Sequence, residues 1–229
     1  MGYKEYLKSC QNLHRWRLKN GWKTRDYYWN QLEHYPMGIA QFGRGYRYLH
    51  DATGNEAYLE GLREAADLLL TLEDINNEYD NPAWGLPFPW PKLEDKEGII
   101  LSGDFFYDPR NPLFTGPLPA HHGYTVTTSI VIQCLLDAYE KLREEKYLEK
   151  AVGGCRWIVE EAGYEVRDEG IFFNYSPHMR HKIYNGSALA SAALARAGRI
   201  IEEQRFLDLA KKSMEYILSV QLPNGAWYY

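Results

Sequence analysis

Residues 123–136 contain no charged side chain. A helix over this stretch is apolar on most sides and has to be buried. Beyond a short charged turn, Leu148, Ala151, Val152, Cys155, Ile158, Val159 and Ala162 recur at three- and four-residue steps. Glu145, Lys146, Glu149, Lys150 and Arg156 fall between them. That alternation predicts a second helix with one wet face. The same half-wet stripe occurs earlier, at Leu59, Leu62, Ala65, Ala66, Leu69 and Leu70, and later, at Phe206, Leu207, Ala210, Met214, Ile217 and Leu218. Each copy follows a drier helix, over residues 36–52 and 184–200 in the outer two cases, with no charge at all across 183–195. Each unit closes on aromatic residues: Trp84-Gly85-Leu86-Pro87-Phe88, then Phe172-Phe173-Asn174-Tyr175, then Trp227-Tyr228-Tyr229.

A dry helix, a turn, a half-wet helix and an aromatic loop therefore form one unit, and it repeats three times. The pattern predicts an all-α chain of three helical hairpins. Residues 3–19 add an N-terminal helix, with Tyr6, Leu7, Cys10, Leu13 and His14 at helical spacing. Residues 22–35 read as an aromatic lid across helix ends. Pro36 suits the first turn of a helix, where its missing N–H costs nothing, and Asn55 suits an N-cap. The first and second units are separated by extra length in residues 75–122, a stretch rich in proline. Its tryptophans and phenylalanines argue for order. It reads as an excursion over one end of the helices that carries Trp84 and Trp90 to a cleft.

Composition changes little in this picture. In 229 residues, 45% are apolar and 25% charged, as in ordinary globular domains. A net charge of −5 gives no basic bulk for nucleic acid. Cys10, Cys134 and Cys155 are scattered and read as small apolar fillers in a reducing compartment. No signal-peptide core and no membrane-length apolar run is present, so the chain reads as cytoplasmic. The aromatic share of 15% is the unusual quantity, because part of it falls in loops that a core does not require.

Several stretches carry a resemblance: Tyr35-Pro36-Met37-Gly38-Ile39-Ala40-Gln41-Phe42, Trp84-Gly85-Leu86-Pro87-Phe88-Pro89-Trp90, Thr125-Val126-Thr127-Thr128-Ser129, Phe173-Asn174-Tyr175-Ser176-Pro177, Tyr184-Asn185-Gly186-Ser187-Ala188-Leu189 and Gln221-Leu222-Pro223-Asn224-Gly225-Ala226-Trp227. With the hairpin repeat, they resemble the α/α toroid superfamily, within it a family found beside surface-polysaccharide biosynthesis genes. The first stretch also resembles the first hairpin of glucuronyl C5-epimerases. The resemblance implies one incomplete toroid domain over residues 1–229, with the repeats at 36–229 and aromatic loops at one rim. Such proteins continue past the Gly-x-Trp loop into a further inner helix. The chain is therefore expected to be C-terminally incomplete, open to self-association or to a missing half. The implied ligand is a glycan, with no metal or cofactor. The Gln221 to Trp227 pattern is also similar to a terpene-cyclase repeat, but the acidic motif of those enzymes is missing.

In a ring of hairpins the inner-helix starts share one rim. His122, Tyr124, Tyr175 and Asn185 are the expected catalytic set. Histidine titrates near neutrality, tyrosine can give a proton, and Asn185 can hold a hydroxyl or carboxylate. Trp84, Trp90, His121, Thr127, Thr128, Asn174, Arg180, Tyr184, Ser187 and Trp227 are the expected binding set, since sugar C–H faces pack on aromatic rings and hydroxyls need polar partners. Arg180 would meet a uronate or phosphate. Hydrolysis, elimination and epimerisation all remain open. So does a toroid that only binds glycan or protein, in which His122 caps a helix and the tyrosines pack the rim.

Overall fold

The structure is a computed structural model that describes residues 34–87, 118–178 and 183–227. The expected N-terminal helix, nearly all of the lid, Trp90 and Arg180 lie outside those residues. Among the described residues the chain is mostly helical, with six α-helices. They are α1 (Pro36–Thr53), α2 (Ala57–Leu70), α3 (Thr125–Leu142), α4 (Glu145–Trp157), α5 (Tyr184–Ile200) and α6 (Gln204–Ser219).

The local signals act as their chemistry requires. Pro36 opens α1. Asn55 Oδ1 accepts the Ala57 N–H at 3.0 Å and so satisfies a first-turn donor of α2. The uncharged run forms α3, whose Thr127, Thr128, Val131, Leu135 and Ala138 are all buried. Consecutive helices pair as hairpins: α1 with α2, α3 with α4, α5 with α6. The first helices of the hairpins also pack side by side, α1 on α3 and α3 on α5. The apolar core fills the space between these inner helices and their outer partners. No helix among the described residues is long and apolar enough to cross a membrane.

Two expectations about loops need correction. The second aromatic loop is partly a strand. After α4 the chain makes a π-helical turn (Ile158–Ala162), then pairs β1 (Tyr164–Arg167) antiparallel with β2 (Gly170–Phe173) around a turn at Asp168 and Glu169. Phe172 and Phe173 are core residues, and Phe172 meets the edges of Tyr184 and Tyr216. The first loop is also drawn inward. Trp84 is 0% exposed and donates its indole N–H to Leu69 O at 2.8 Å. It plugs the end of α2 rather than facing a cleft.

Candidate functional site

In antiparallel hairpins the starts of α1, α3 and α5 and the ends of α2, α4 and α6 share one end. The residues just before α3 collect the chemistry there. Segment 83–86 runs antiparallel to 121–124 through a bridge between Gly85 and Gly123. Leu86 O accepts the His121 N–H at 2.6 Å, and Trp84 O accepts the Tyr124 N–H at 3.1 Å. A Cβ on Gly85 would lie 2.1 Å from His122 O, and one on Gly123 2.6 Å from the Trp157 ring, so only glycine permits this approach. Thr128 Oγ1 completes the junction by accepting the Trp84 N–H at 3.0 Å.

This junction buries His122 to 1% exposure. Its Nδ1 lies 2.9 Å from Glu78 Oε2. Tyr79 Oη is 2.9 Å from the same nitrogen and accepts the Gly123 N–H at 3.2 Å. With Glu78 ionised, the Nδ1–H tautomer is the one its carboxylate selects, which leaves Nε2 with a lone pair. The Tyr124 ring meets His122 edge-on at 5.6 Å, and His178 stacks on it at 5.4 Å. Tyr175, half-buried, packs against Tyr124 with ring centroids 5.5 Å apart.

The loop that supplies Glu78 and Tyr79 is built by side chains. Asp74, at φ 35°, accepts the N–H of Glu78 at 2.9 Å and of Tyr79 at 3.1 Å. Asn76 Nδ2 donates to Glu78 Oε1 at 2.9 Å and to Ala120 O at 2.8 Å. From the π-turn, Glu161 accepts the backbone N–H of Asp80 at 3.1 Å and of Asn81 at 3.0 Å. The carboxylate is therefore aimed at His122 by a tied loop.

Titration follows from these contacts. Burial pushes the His122 imidazolium below its ordinary value, and this outweighs the opposing pull of Glu78. For Glu78, burial raises the pKa, but hydrogen bonds from Asn76, Tyr79 and His122 outweigh it and the net direction is down. Burial, then the Glu78 carboxylate, pushes the Tyr79 phenol far up. Burial, with Tyr175 next, does the same to Tyr124. At neutral pH the cluster holds a neutral histidine, a carboxylate and protonated phenols.

Of the expected catalytic set, the structure brings His122, Tyr124 and Tyr175 together. Asn185 is exposed in the first turn of α5, beside Gly186, whose Cβ position is 3.5 Å from Tyr175. The expected binding set disperses. Trp84, Thr127 and Thr128 are buried structural residues. Ser187 is buried too, with its Oγ accepting the Phe173 N–H at 3.0 Å and lying 2.9 Å from Ser213 Oγ. Asn174 is turned inward, and its Nδ2 donates to Ala162 O at 2.8 Å. Tyr184 packs on Phe172, and Trp227 donates to Ile217 O at 2.8 Å. His121 contributes a left-handed backbone turn at φ 66°.

Sequence reasoning missed Glu78, Tyr79 and Asn76. The signal available was Asp74-Ile75-Asn76-Asn77-Glu78 just past α2, where four of five residues are Asp, Asn or Glu, a composition that builds side-chain-bonded turns. Among the described residues, no group of three or more His, Cys, Asp or Glu side chains converges as metal ligands. Compared with known proteins, the chain matches no family model and no curated sequence.

Proposed function

We infer that the hairpins are part of an α/α toroid and that the chain is a carbohydrate-active protein of polysaccharide biosynthesis or modification, working by proton transfer at the His122 site. The observation that carries this reading is the His122–Glu78 pair, 2.9 Å apart. A neutral imidazole oriented by a carboxylate is a general base, and its unprotonated Nε2, with Tyr79 Oη 3.5 Å away, is the nitrogen that would take a substrate proton. Tyr175, the half-exposed phenol of the cluster, is the matching acid. The Glu78 side chain retains 29% exposure, so the carboxylate end of the pair reaches solvent.

Within that class, elimination or epimerisation beside a uronate carboxylate fits better than hydrolysis. The common hydrolytic route needs two carboxyl groups flanking the bond. Among the described residues this cluster has one, Glu78. In elimination or epimerisation, His122 removes the proton next to the carboxylate, and a tyrosine protonates the leaving oxygen or the opposite face.

The test is turnover of uronate-containing oligosaccharides by the wild-type chain, by His122→Gln and by Tyr175→Phe, followed against pH. The expected wild-type profile rises on a limb below pH 6.5, the ordinary histidine value, because burial lowers His122. Loss of one proton-transfer group should lower kcat about 100-fold or more. Unchanged turnover in both variants would sink the mechanism. A second reading, binding without catalysis, is favoured by the 1% exposure of His122. It predicts intact glycan binding with no turnover in the wild-type chain, and a lower melting temperature as the sole effect of His122→Gln.

A further inference from the structure

A second charged cluster lies on the three inner helices, far along α3 from His122. Asp137 is 0% exposed, although it follows an uncharged run and belongs to the driest part of the molecule. Arg44 Nε on α1 reaches Asp137 Oδ2 at 3.3 Å, and Arg196 Nη2 on α5 reaches Oδ1 at 2.7 Å. Arg47, one turn beyond Arg44 on α1, approaches Oδ1 with Nη1 at 3.8 Å. Arg196 is fully engaged, donating also to Glu140 and to the Gln133 side chain and carbonyl. The other two are not. Among the described residues, Arg44 adds only a long bond to Tyr48 Oη at 3.4 Å. Arg47 Nε is buried 3.0 Å from Asp51, and among the described residues its N–H has no aligned acceptor.

The three guanidinium side chains keep 22–26% exposure, so they open to solvent while their charge is held by the buried carboxylate. Tyr48, 53% exposed, lies beside them with Arg47 Cζ 5.2 Å from its ring centroid. Arg44, Arg47, Arg196 and Lys141 against Asp51, Asp137 and Glu140 leave the cluster with one surplus positive charge. Each guanidinium carries five N–H donors, and the Nη groups of Arg44 and Arg47 beyond the bonds named, on side chains that keep 25–26% exposure, suit an oxyanion, because planar forks bind carboxylate and phosphate oxygens in pairs.

We propose that Arg44 and Arg47, held by Asp137 and, for Arg47, by Asp51, form an anion subsite that takes a carboxylate or phosphate group of the ligand. Asp137 acts as a positioning residue, and Tyr48 offers an apolar face to the ring that carries the anion. The α3 axis runs about 18 Å from Thr125 to Asp137 at 1.5 Å per residue. The subsite is thus separate from the proton-transfer site, and an extended acidic chain is the ligand form that spans both. It goes beyond the reaction read at His122 and stands independently of it.

The test is calorimetric titration of the full chain with three probes: an acidic uronate oligosaccharide, a neutral oligosaccharide of equal length, and inorganic phosphate. Arg47→Gln is the diagnostic variant, since it makes no short bond to Asp137 and lies outside the His122 cluster. The expected result is salt-sensitive binding of an acidic probe, weakened about ten-fold by Arg47→Gln with an unchanged melting temperature. Uronate binding without phosphate binding assigns the site to a carboxylate, and the reverse assigns it to a phosphate. Equal affinity for acidic and neutral oligosaccharides, equal affinity in the variant, or no binding of any probe overturns the proposal. Failure of turnover at His122 leaves each of these readouts intact.

Discussion

At the scale of single residues, His122 sets how the molecule responds to acid. Burial holds its pKa below the ordinary 6.5. The unfolded chain therefore takes up the proton first as pH falls, and the native state loses stability below about pH 6.5, with a slope of up to roughly 1.4 kcal/mol per pH unit. Glu78 acts in the same direction further down. Its pKa is below the ordinary 4.5, so its contribution is present above that pH and is lost as pH drops through the lowered value. Urea midpoints at pH 7.5 and pH 5.5 check the first window. The wild-type chain should lose stability between them, and His122→Gln should lose less; parallel losses would show that another group titrates. His122 was singled out in the sequence because it stands just before a buried helix, at the rim the first helices of the hairpins were expected to share. Glu78 was not. An acid in a long loop looks solvated, and its orientation comes from Asp74 and Asn76, whose side-chain bonds no periodicity records.

At the scale of elements, the site depends on how segment 83–86 is stitched to the start of α3. The aromatic loops carried the right location and the wrong orientation. Trp84 reads as a cleft wall because a proline-rich loop has no inward face in sequence. In the fold, the Leu69 carbonyl near the end of α2 accepts the indole N–H as well as the Leu72 N–H, and burial follows. Thr128 has the same history, as a rim hydroxyl that became a peptide clamp. Thr128→Val keeps the shape but leaves the buried Trp84 N–H without its acceptor, which should cost roughly 1–3 kcal/mol. Gly85→Ala forces a Cβ against the His122 carbonyl and should cost a similar amount through backbone displacement. Because Gly85 pairs with the segment carrying His122, its variant should also move the acidic limb of the activity profile. Thr128→Val should leave that limb in place. Denaturation midpoints and the two pH profiles separate these outcomes, and a neutral Gly85→Ala would mean that the two segments part freely.

At the scale of the whole molecule, the repeat was the readable feature. The starts of α1 and α5 fall where their first residues placed them, because a proline marks a helix start and an uncharged run marks a buried helix, and both signals are local. The features that make three hairpins one body are not local. Asp137 is the clearest case. A carboxylate ending an apolar run normally marks the return to solvent, and nothing near it in sequence announces Arg44 or Arg196. The inner layer nevertheless joins there, with α1 and α5 each bonding the same buried group on α3. Removing one partner of a buried ion pair typically costs about 3–5 kcal/mol, since the others stay desolvated. In Asp137→Ala the orphaned groups are guanidiniums that already reach water, so the low end, about 3 kcal/mol, is expected. Replacing Glu140, on the same helix but bonded among the described residues only to Arg196 and with 37% of its side chain exposed, should cost under about 1 kcal/mol. Urea denaturation of the two variants measures the difference directly. Equal costs would mean that Asp137 is merely one member of a surface ion pair and that the inner helices are held in register by apolar packing alone.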